Sequence, residues 1–439
     1  MKFFDRKEEI SELKRIREKS HENAQFTIIT GRRRVGKTEL VKHAFADEDY
    51  LYFYVSKKAQ PDLCESFRII AEKTLGVSVP GRVSRFQQLF RFVLEQSVHR
   101  PLTLFIDEFQ DFLKIDESII NDIAGEWDAF QGKAKINLVV CGSINRLMGE
   151  IFEDKEAPLY GRNTASFRID PFRISVLKEI LAYHHPGYKP DDLLALWSFT
   201  GGIARHVSLL MDDRAFTPRK MVESMIRLGS TFLDEGRTLL VEEFGKDYGN
   251  YFTVLSSIAA GHTTRNEIEQ ALGGSAGGYL TKLEDAYALI AKRQPIFEKS
   301  GNKNCIYRIN DNFLTFWFRF VHKYNYLVEL KMFEELRELI LRDYPVFSGV
   351  MLEGYFKAKF AEEHRYTKMG AWWDRKGENE IDLVCENELT RKLDFYEVKR
   401  KATRFDASGL EAKLDAFFEK NPAKRNLAGK RRCVSLADL

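Results

Sequence analysis

Eight residues, Gly31-Arg32-Arg33-Arg34-Val35-Gly36-Lys37-Thr38, restrict the folds open to this chain more than any other stretch. They follow the apolar run Phe26-Thr27-Ile28-Ile29-Thr30 and lead into Glu39-Leu40-Val41-Lys42-His43-Ala44-Phe45, so the pattern reads strand, glycine-bearing loop, helix. That is the context a phosphate-binding loop requires. Gly31 and Gly36 let the backbone N–H groups of the loop, Val35 included, turn inward around a phosphate. The following helix aims its positive dipole end at the same point. The Lys37 ammonium then reaches the outer phosphates, Thr38 holds a magnesium ion, and Arg32, Arg33 and Arg34 add positive charge where a triphosphate lies.

Such a loop predicts a parallel α/β sheet whose strands end in functional side chains. A second apolar run, Tyr50 to Val55, precedes helical segments through Gln96. Pro101 then introduces Leu102-Thr103-Leu104-Phe105-Ile106-Asp107-Glu108-Phe109, a nearly unbroken hydrophobic strand ending in two carboxylates. Seventy residues after Lys37, Asp107 is placed to hold magnesium and Glu108 to polarise the water that attacks a γ-phosphate. A further run, Ile136 to Ser143, reads as the adjacent strand, presenting Ser143 or Asn145 to the phosphate or the water. Arg162, after Leu159-Tyr160-Gly161, is the candidate cation for charge developing on the transferred phosphoryl group. From Ile174 to about Leu210 the pattern is helical, broken at Thr200-Gly201-Gly202-Ile203-Ala204-Arg205, where the glycine pair reads as a helix–helix joint.

With 439 residues the chain is long enough for two to four domains of ordinary size. Its formal charge of +3 does not point to an anionic partner, because clustering matters more than the total. Between Lys399 and Arg432, however, eleven Lys/Arg face four Asp/Glu, a candidate footprint for DNA or RNA. The five cysteines are scattered singly, without the close pair of a zinc or redox motif. No stretch reaches the ~18 uncharged residues of a membrane span, and the N-terminus is charged. A soluble cytoplasmic protein is expected.

Phe4 and Arg6, the phosphate-binding loop, Leu-Phe-Ile-Asp-Glu at 104–108, the Gly-Ser strand end, Leu-Tyr-Gly-Arg at 159–162 and Thr-Gly-Gly-Ile at 200–203 occur in a fixed order. Over residues 1–230 the chain thereby resembles the archaeal-type ATPases of the STAND branch of the AAA+-related P-loop NTPases. The resemblance implies ATP with Mg²⁺ as the cofactor pair, and a helical lid closing over nucleotide with Arg205 near the phosphates. Ala204 stands where the family usually has proline.

From Asn250 three helices are expected, the second capped by Thr264 and the third running from about Ala276 to Ala286. Strands at Leu289–Phe297 and Asn304–Ile309 follow, around a turn at 299–303. This resembles the winged-helix segment attached to such ATPases. The third helix carries only Lys282 as a basic residue, opposed by Glu284 and Asp285, which favours a protein contact over DNA reading. The aromatic stripe from Phe313 to Tyr326 reads as a buried connecting helix.

Beyond a helix from about Ser348 to Glu363 that carries Glu353, Asp382 begins one strand of a hairpin and Glu397-Val398-Lys399 ends the next. Strand alternation puts Glu397 and Lys399 on one face. The set resembles the core of the restriction-endonuclease-like, PD-(D/E)xK phosphodiesterases. In that reading Asp382 and Glu397 bind Mg²⁺, Lys399 stabilises the charged transition state and Glu353 assists. The expected fold class is therefore α/β. It comprises a P-loop core over 1–170, a helical lid over 171–245 and a winged helix over 246–312. Connecting helices over 313–345 lead to a nuclease-like mixed α/β domain over 346–439.

Overall fold

The apolar runs at 26–30, 102–107 and 136–141 become strands buried on both faces, which is why they carry no polar alternation. In the computed structural model, which describes residues 1–143, 145–244, 248–299 and 304–439, the first five strands are β1 (Gln25–Thr30), β2 (Leu51–Tyr54), β3 (Leu102–Asp107), β4 (Ile136–Cys141) and β5 (Ala165–Arg168). They form one parallel sheet in the order β2-β3-β4-β1-β5. Phe26, Leu104 and Leu138 face a core completed by Phe67, Phe86 and Trp127 from three helices; the Phe53 and Phe67 rings stack at 4.4 Å. Helix Lys7–Ser20 covers β1 and β4 with Leu13 and Ile16 buried. These elements make one compact unit, residues 5–170.

The second unit comprises residues 1–4 and 171–439. Helices Pro190–Thr200 and Ala204–Asp212 meet at Gly201-Gly202. Gly202 has φ +76°, and a Cβ there would lie 2.4 Å from the Phe172 carbonyl oxygen. The joint thus requires glycine.

Helices Tyr248–Ala260 and Arg265–Leu272, then Gly277–Thr281 running into a π-helical turn at Lys282–Ala286, precede β6 (Ile290–Arg293) and β7 (Ile306–Ile309), an antiparallel pair. Thr264 caps its helix, its hydroxyl accepting from the Glu267 N–H while Glu267 returns to the Thr264 N–H. β6 is shorter than the sequence suggests. Pro295 has no N–H to continue the ladder, and the next amide, Ile296, donates instead to Ala371 O at 2.8 Å. Of the expected turn, 300–303 lies outside the described residues.

The aromatic stripe is not one helix. It comprises Asn312–Phe316, a π-helical stretch Trp317–His322 and Asn325–Glu329. Phe313, Phe316, Trp317, Phe318 and Phe320 are buried, whereas Tyr326 is 55 % exposed. The helix expected from Ser348 is the second half of a longer one, Phe333–Glu362, with Pro345 inside it. A domain boundary at 345/346 would therefore cut a continuous helix.

The chain ends in a mixed sheet of β8 (Lys368–Trp373), β9 (Glu380–Asn387), β10 (Lys392–Val398) and β11 (Ala428–Val434). The order is β11-β10-β9-β8, with only β10 and β11 parallel. Trp372, Ile381 and Phe395 pack against Leu414 and Phe417 of helix Ala407–Lys420.

Candidate functional site

At the carboxyl end of β1 the chain turns on Gly31, with φ +145°, where a Cβ would meet Ile169 O at 2.4 Å. Arg34 and Gly36 also take positive φ, 69° and 98°, and helix Lys37–Ala44 begins immediately after. Val35 is buried, so its side chain anchors the loop and only its backbone can face a ligand. Arg32 and Arg33 are partly exposed. The Lys37 ammonium, 6 % exposed, donates to Gly31 O at 2.8 Å and Arg32 O at 2.9 Å. Burial pushes its pKa down, against the pull of Cys141, Glu108 and Asp107.

β3 delivers the acids. The Thr38 hydroxyl donates to Asp107 Oδ2 at 2.8 Å, and Tyr52 OH donates to the same oxygen at 3.1 Å. Asp107 Oδ1 accepts the Glu108 N–H at 3.0 Å. Glu108 stands in the left-handed region at φ 54°, a conformation uncommon for a residue with a Cβ. Its Oε2 accepts from Ser143 Oγ at 2.9 Å and Gln110 Nε2 at 2.6 Å. Burial and Asp107 raise both the Tyr52 phenol and the Cys141 thiol. Lys37, Thr38, Asp107, Glu108 and Ser143 thus gather at one sheet edge. Tyr52 and Gln110 join them without any motif to announce them. Of Asn145 only the backbone, at the start of helix Asn145–Phe152, is described.

Arg162 is placed apart from this cluster. It forms a two-pronged pair with Asp128, at 2.9 and 2.7 Å, and donates to Pro158 O. Two residues on, the Thr164 N–H donates to Phe26 O at 2.8 Å, at the amino end of β1. The loop Gly31–Thr38 leaves the carboxyl end, about 16 Å away at ~3.3 Å per residue. Arg162 therefore stays out of the phosphate site of its own chain. Arg205 lies in the other compact unit, exposed in the first turn of helix Ala204–Asp212.

The second cluster is on β9 and β10. Asp382 Oδ2 accepts the Val398 N–H at 2.7 Å and Lys399 Nζ at 3.3 Å. Glu397, 3 % exposed, takes Lys399 on one oxygen and Lys413, from helix Ala407–Lys420, on the other, each at 2.8 Å. Burial and Glu397 push the Asp382 carboxyl up, and the paired carboxylates raise the Lys399 ammonium against the opposing effect of its own burial. Glu353 sits 3.8 Å from Arg308. Burial pushes it up to about 7, Arg308 and Arg293 opposing and Asp382 and Glu380 reinforcing.

The expected metal pair is thus bridged by the Lys399 ammonium, with Lys413 on the other oxygen of Glu397. Among the described residues no three His, Cys, Asp or Glu side chains are grouped to hold a metal ion. As arranged, Asp382 and Glu397 suit two lysines rather than a divalent ion. The described residues also include no helix long and apolar enough to cross a membrane.

Comparison with known proteins finds matches for two parts of the chain. Residues 3–210 match the model of an ATPase domain predominantly from Archaea. Residues 317–410 match a family described as Archaea bacterial proteins of unknown function. The uncharacterized protein MJECL04 of Methanocaldococcus jannaschii is 29 % identical over 413 residues, covering 91 % of this chain and 88 % of that protein. Among solved structures, the Walker-type ATPase Paby2304 of Pyrococcus abyssi shares the fold with a TM-score of 0.54 at 18 % identity, over 72 % of this chain and 96 % of that one. Residues 3–210 thus carry an archaeal-type P-loop domain for ATP binding and hydrolysis, and residues 317–410 a module whose family leaves its role open.

Proposed function

We propose that the chain is a Mg²⁺-dependent ATP hydrolase that works as a nucleotide switch on its C-terminal module. The observation that carries this reading is the pairing of Thr38 with Asp107 beside a Glu108 held by Ser143 and Gln110. Two hard oxygens 2.8 Å apart beside the first turn of a helix suit Mg²⁺ with water completing its shell. Thr38 and Asp107 would hold the ion, which neutralises charge on the phosphate oxygens when bound. Lys37 exchanges its two loop carbonyls for phosphate oxygens, and the loop amides cradle the same groups. Glu108, fixed by two donors, accepts hydrogen-bonding from the attacking water. Steady phosphate release that disappears in Lys37→Ala supports the assignment; full turnover in that variant overturns it.

The C-terminal module is read as a binding partner of this switch rather than as a metal nuclease, because both Glu397 oxygens are held by lysines. Winged-helix-like and restriction-endonuclease-like folds remain the proposed descriptions of residues 246–312 and 346–439. A second reading, phosphodiester cleavage with Asp382, Glu397 and Lys399, rests on their juxtaposition. Incubation with DNA and RNA, Mg²⁺ or Mn²⁺, with and without ATP, tests it; cleavage that survives Asp382→Ala sinks it.

A further inference from the structure

In the second unit two neighbouring clefts share a wall. The first, about 340 Å³, lies between β6–β7, helix Phe333–Glu362 and β8–β9, and its charged lining includes Arg293, Arg308 and Lys357 facing Glu353, Glu380 and Asp382. The second, about 850 Å³, is lined by Arg265, Asn266, Asn304, Arg375 and Lys376. Lys292, Ile306 and Trp373 belong to both. We propose that this double cleft binds single-stranded nucleic acid, with Trp373 as a stacking surface between two stretches of phosphate contacts.

The charges sort in favour of an anionic strand. In the second cleft Glu269 is engaged by Arg265 at 2.8 Å. Asp374 accepts from the N–H groups of Lys376 and Glu378 in its own turn, so Arg375, Lys376 and Lys292 dominate the open wall. In the first, Arg308 Nε is buried without a hydrogen-bond acceptor among the described residues, and Arg293, exposed at the end of β6, lines the same cleft. A phosphate oxygen would serve both. The carboxylates there are partly offset, Glu353 by Arg308 and Asp382 by Lys399. Glu298 and Lys368 complete the charged rim.

The aromatic element decides between strand types. Trp373 Nε1 donates to Asn304 Oδ1 at 2.9 Å, which fixes the ring in the wall the clefts share. Bases stack on such rings regardless of sequence, provided they are unpaired. A 340 Å³ cavity is on the scale of a small-ligand pocket and admits a nucleotide-sized group, not a duplex. This differs from the expectation drawn from the basic tail. In β11, Arg431 is tied to Glu411 and Arg432 lies over Tyr396. The proposal stands whether or not the Asp382 cluster acts on the strand it meets.

Fluorescence anisotropy on the full chain with fluorescein-labelled 20-mers of single-stranded DNA and RNA, in EDTA, provides the test. Trp373→Ala and Arg375→Glu/Lys376→Glu should each weaken binding about tenfold or more, and Trp373→Phe should restore most of the loss. Each phosphate contact removed should reduce the salt slope by about 0.7. Lys430→Ala/Arg431→Ala/Arg432→Ala on β11 should bind as wild type does. Cleft variants with wild-type affinity, loss confined to the β11 variant, tighter binding of the duplex, or no binding of either single strand at low salt would each overturn the proposal. Cleavage plays no part in these readouts, so failure of the nuclease reading leaves them unaffected.

Discussion

The phosphate-loop site and the β9–β10 cluster use the same residue types, an aspartate at a strand end, a nearby glutamate and a lysine, yet reach opposite electrostatic states. In the first, the acids accept from hydroxyl and amide groups, Thr38, Tyr52, Ser143 and Gln110, while Lys37 is turned onto backbone carbonyls. No ammonium group occupies these acids, and a cation can join them. In the second, Lys399 and Lys413 are bound directly to the acids. The partners of an acid, more than its position on a strand, decide whether it is a metal site or a closed ion cluster.

The sharpest way to break this contrast is to remove the charges that distinguish the two sites. Glu108→Gln keeps the Ser143 contact but lowers the basicity available to the attacking water. ATP turnover should fall by about 10²–10⁴-fold with nucleotide binding retained, measured by phosphate release and by equilibrium binding. Asp382→Asn should leave ATP turnover within about twofold. If instead the two variants lose turnover alike, the clusters do not differ in the way proposed.

Glu397→Ala tests the closed cluster by stability. It leaves Lys413 without its carboxylate and Lys399 with Asp382 alone. Both lysines are about one-third exposed, so the cost is smaller than for a fully buried pair, about 2 kcal/mol. Chemical denaturation followed by tryptophan fluorescence reads it. An unchanged midpoint would show that solvent already screens the cluster.

These contrasts also mark what the sequence could disclose. The strand–loop–helix pattern at Gly31–Thr38 and the Asp107-Glu108 strand end are local, and local spacing is what a sequence displays. Tyr52 and Gln110 are not legible in that way: Tyr52 reaches Asp107 only because β2 pairs with β3 in a register that sets Tyr54 beside Asp107. Lys413 joins Glu397 from a helix sixteen residues on, and Arg308 meets Glu353 from forty-five residues away, separations that no spacing rule covers. The early end of β6 was foreseeable from Pro295, whereas nothing in the local pattern announces the π-helical turn at Trp317–His322.

A smaller effect comes from Glu353. Its pKa is raised from the ordinary 4.5 to about 7, so the folded chain binds more protons than the unfolded chain between those values. Stability from this group is present below pH 4.5 and is lost as pH rises through 7. The groups facing it are Arg293 and Arg308 from β6 and β7 and Glu380 and Asp382 from β9. With its side chain one-third exposed, the loss is discounted to about 1 kcal/mol. Glu353→Gln should flatten the decline in denaturation midpoint from pH 5 to pH 8; an undiminished slope would assign it to other groups.

The smallest effect is expected at Arg162, where the sequence points to catalysis and the structure to a surface ion pair. Its partner Asp128 is 45 % exposed on its side chain, and pairs of this kind contribute about 0.2–1 kcal/mol. Arg162→Ala should therefore shift the denaturation midpoint only slightly and leave ATP turnover within about twofold. An arginine that stabilises a transferring phosphoryl group contributes far more, about 10³–10⁵-fold, so the two roles are separated by orders of magnitude in one assay. A large loss of turnover would return Arg162 to the catalytic set. Because β1 separates it from its own phosphate loop, that arginine would then have to be supplied by a second copy of the chain, and the loss would be rescued on mixing Arg162→Ala with Lys37→Ala protein.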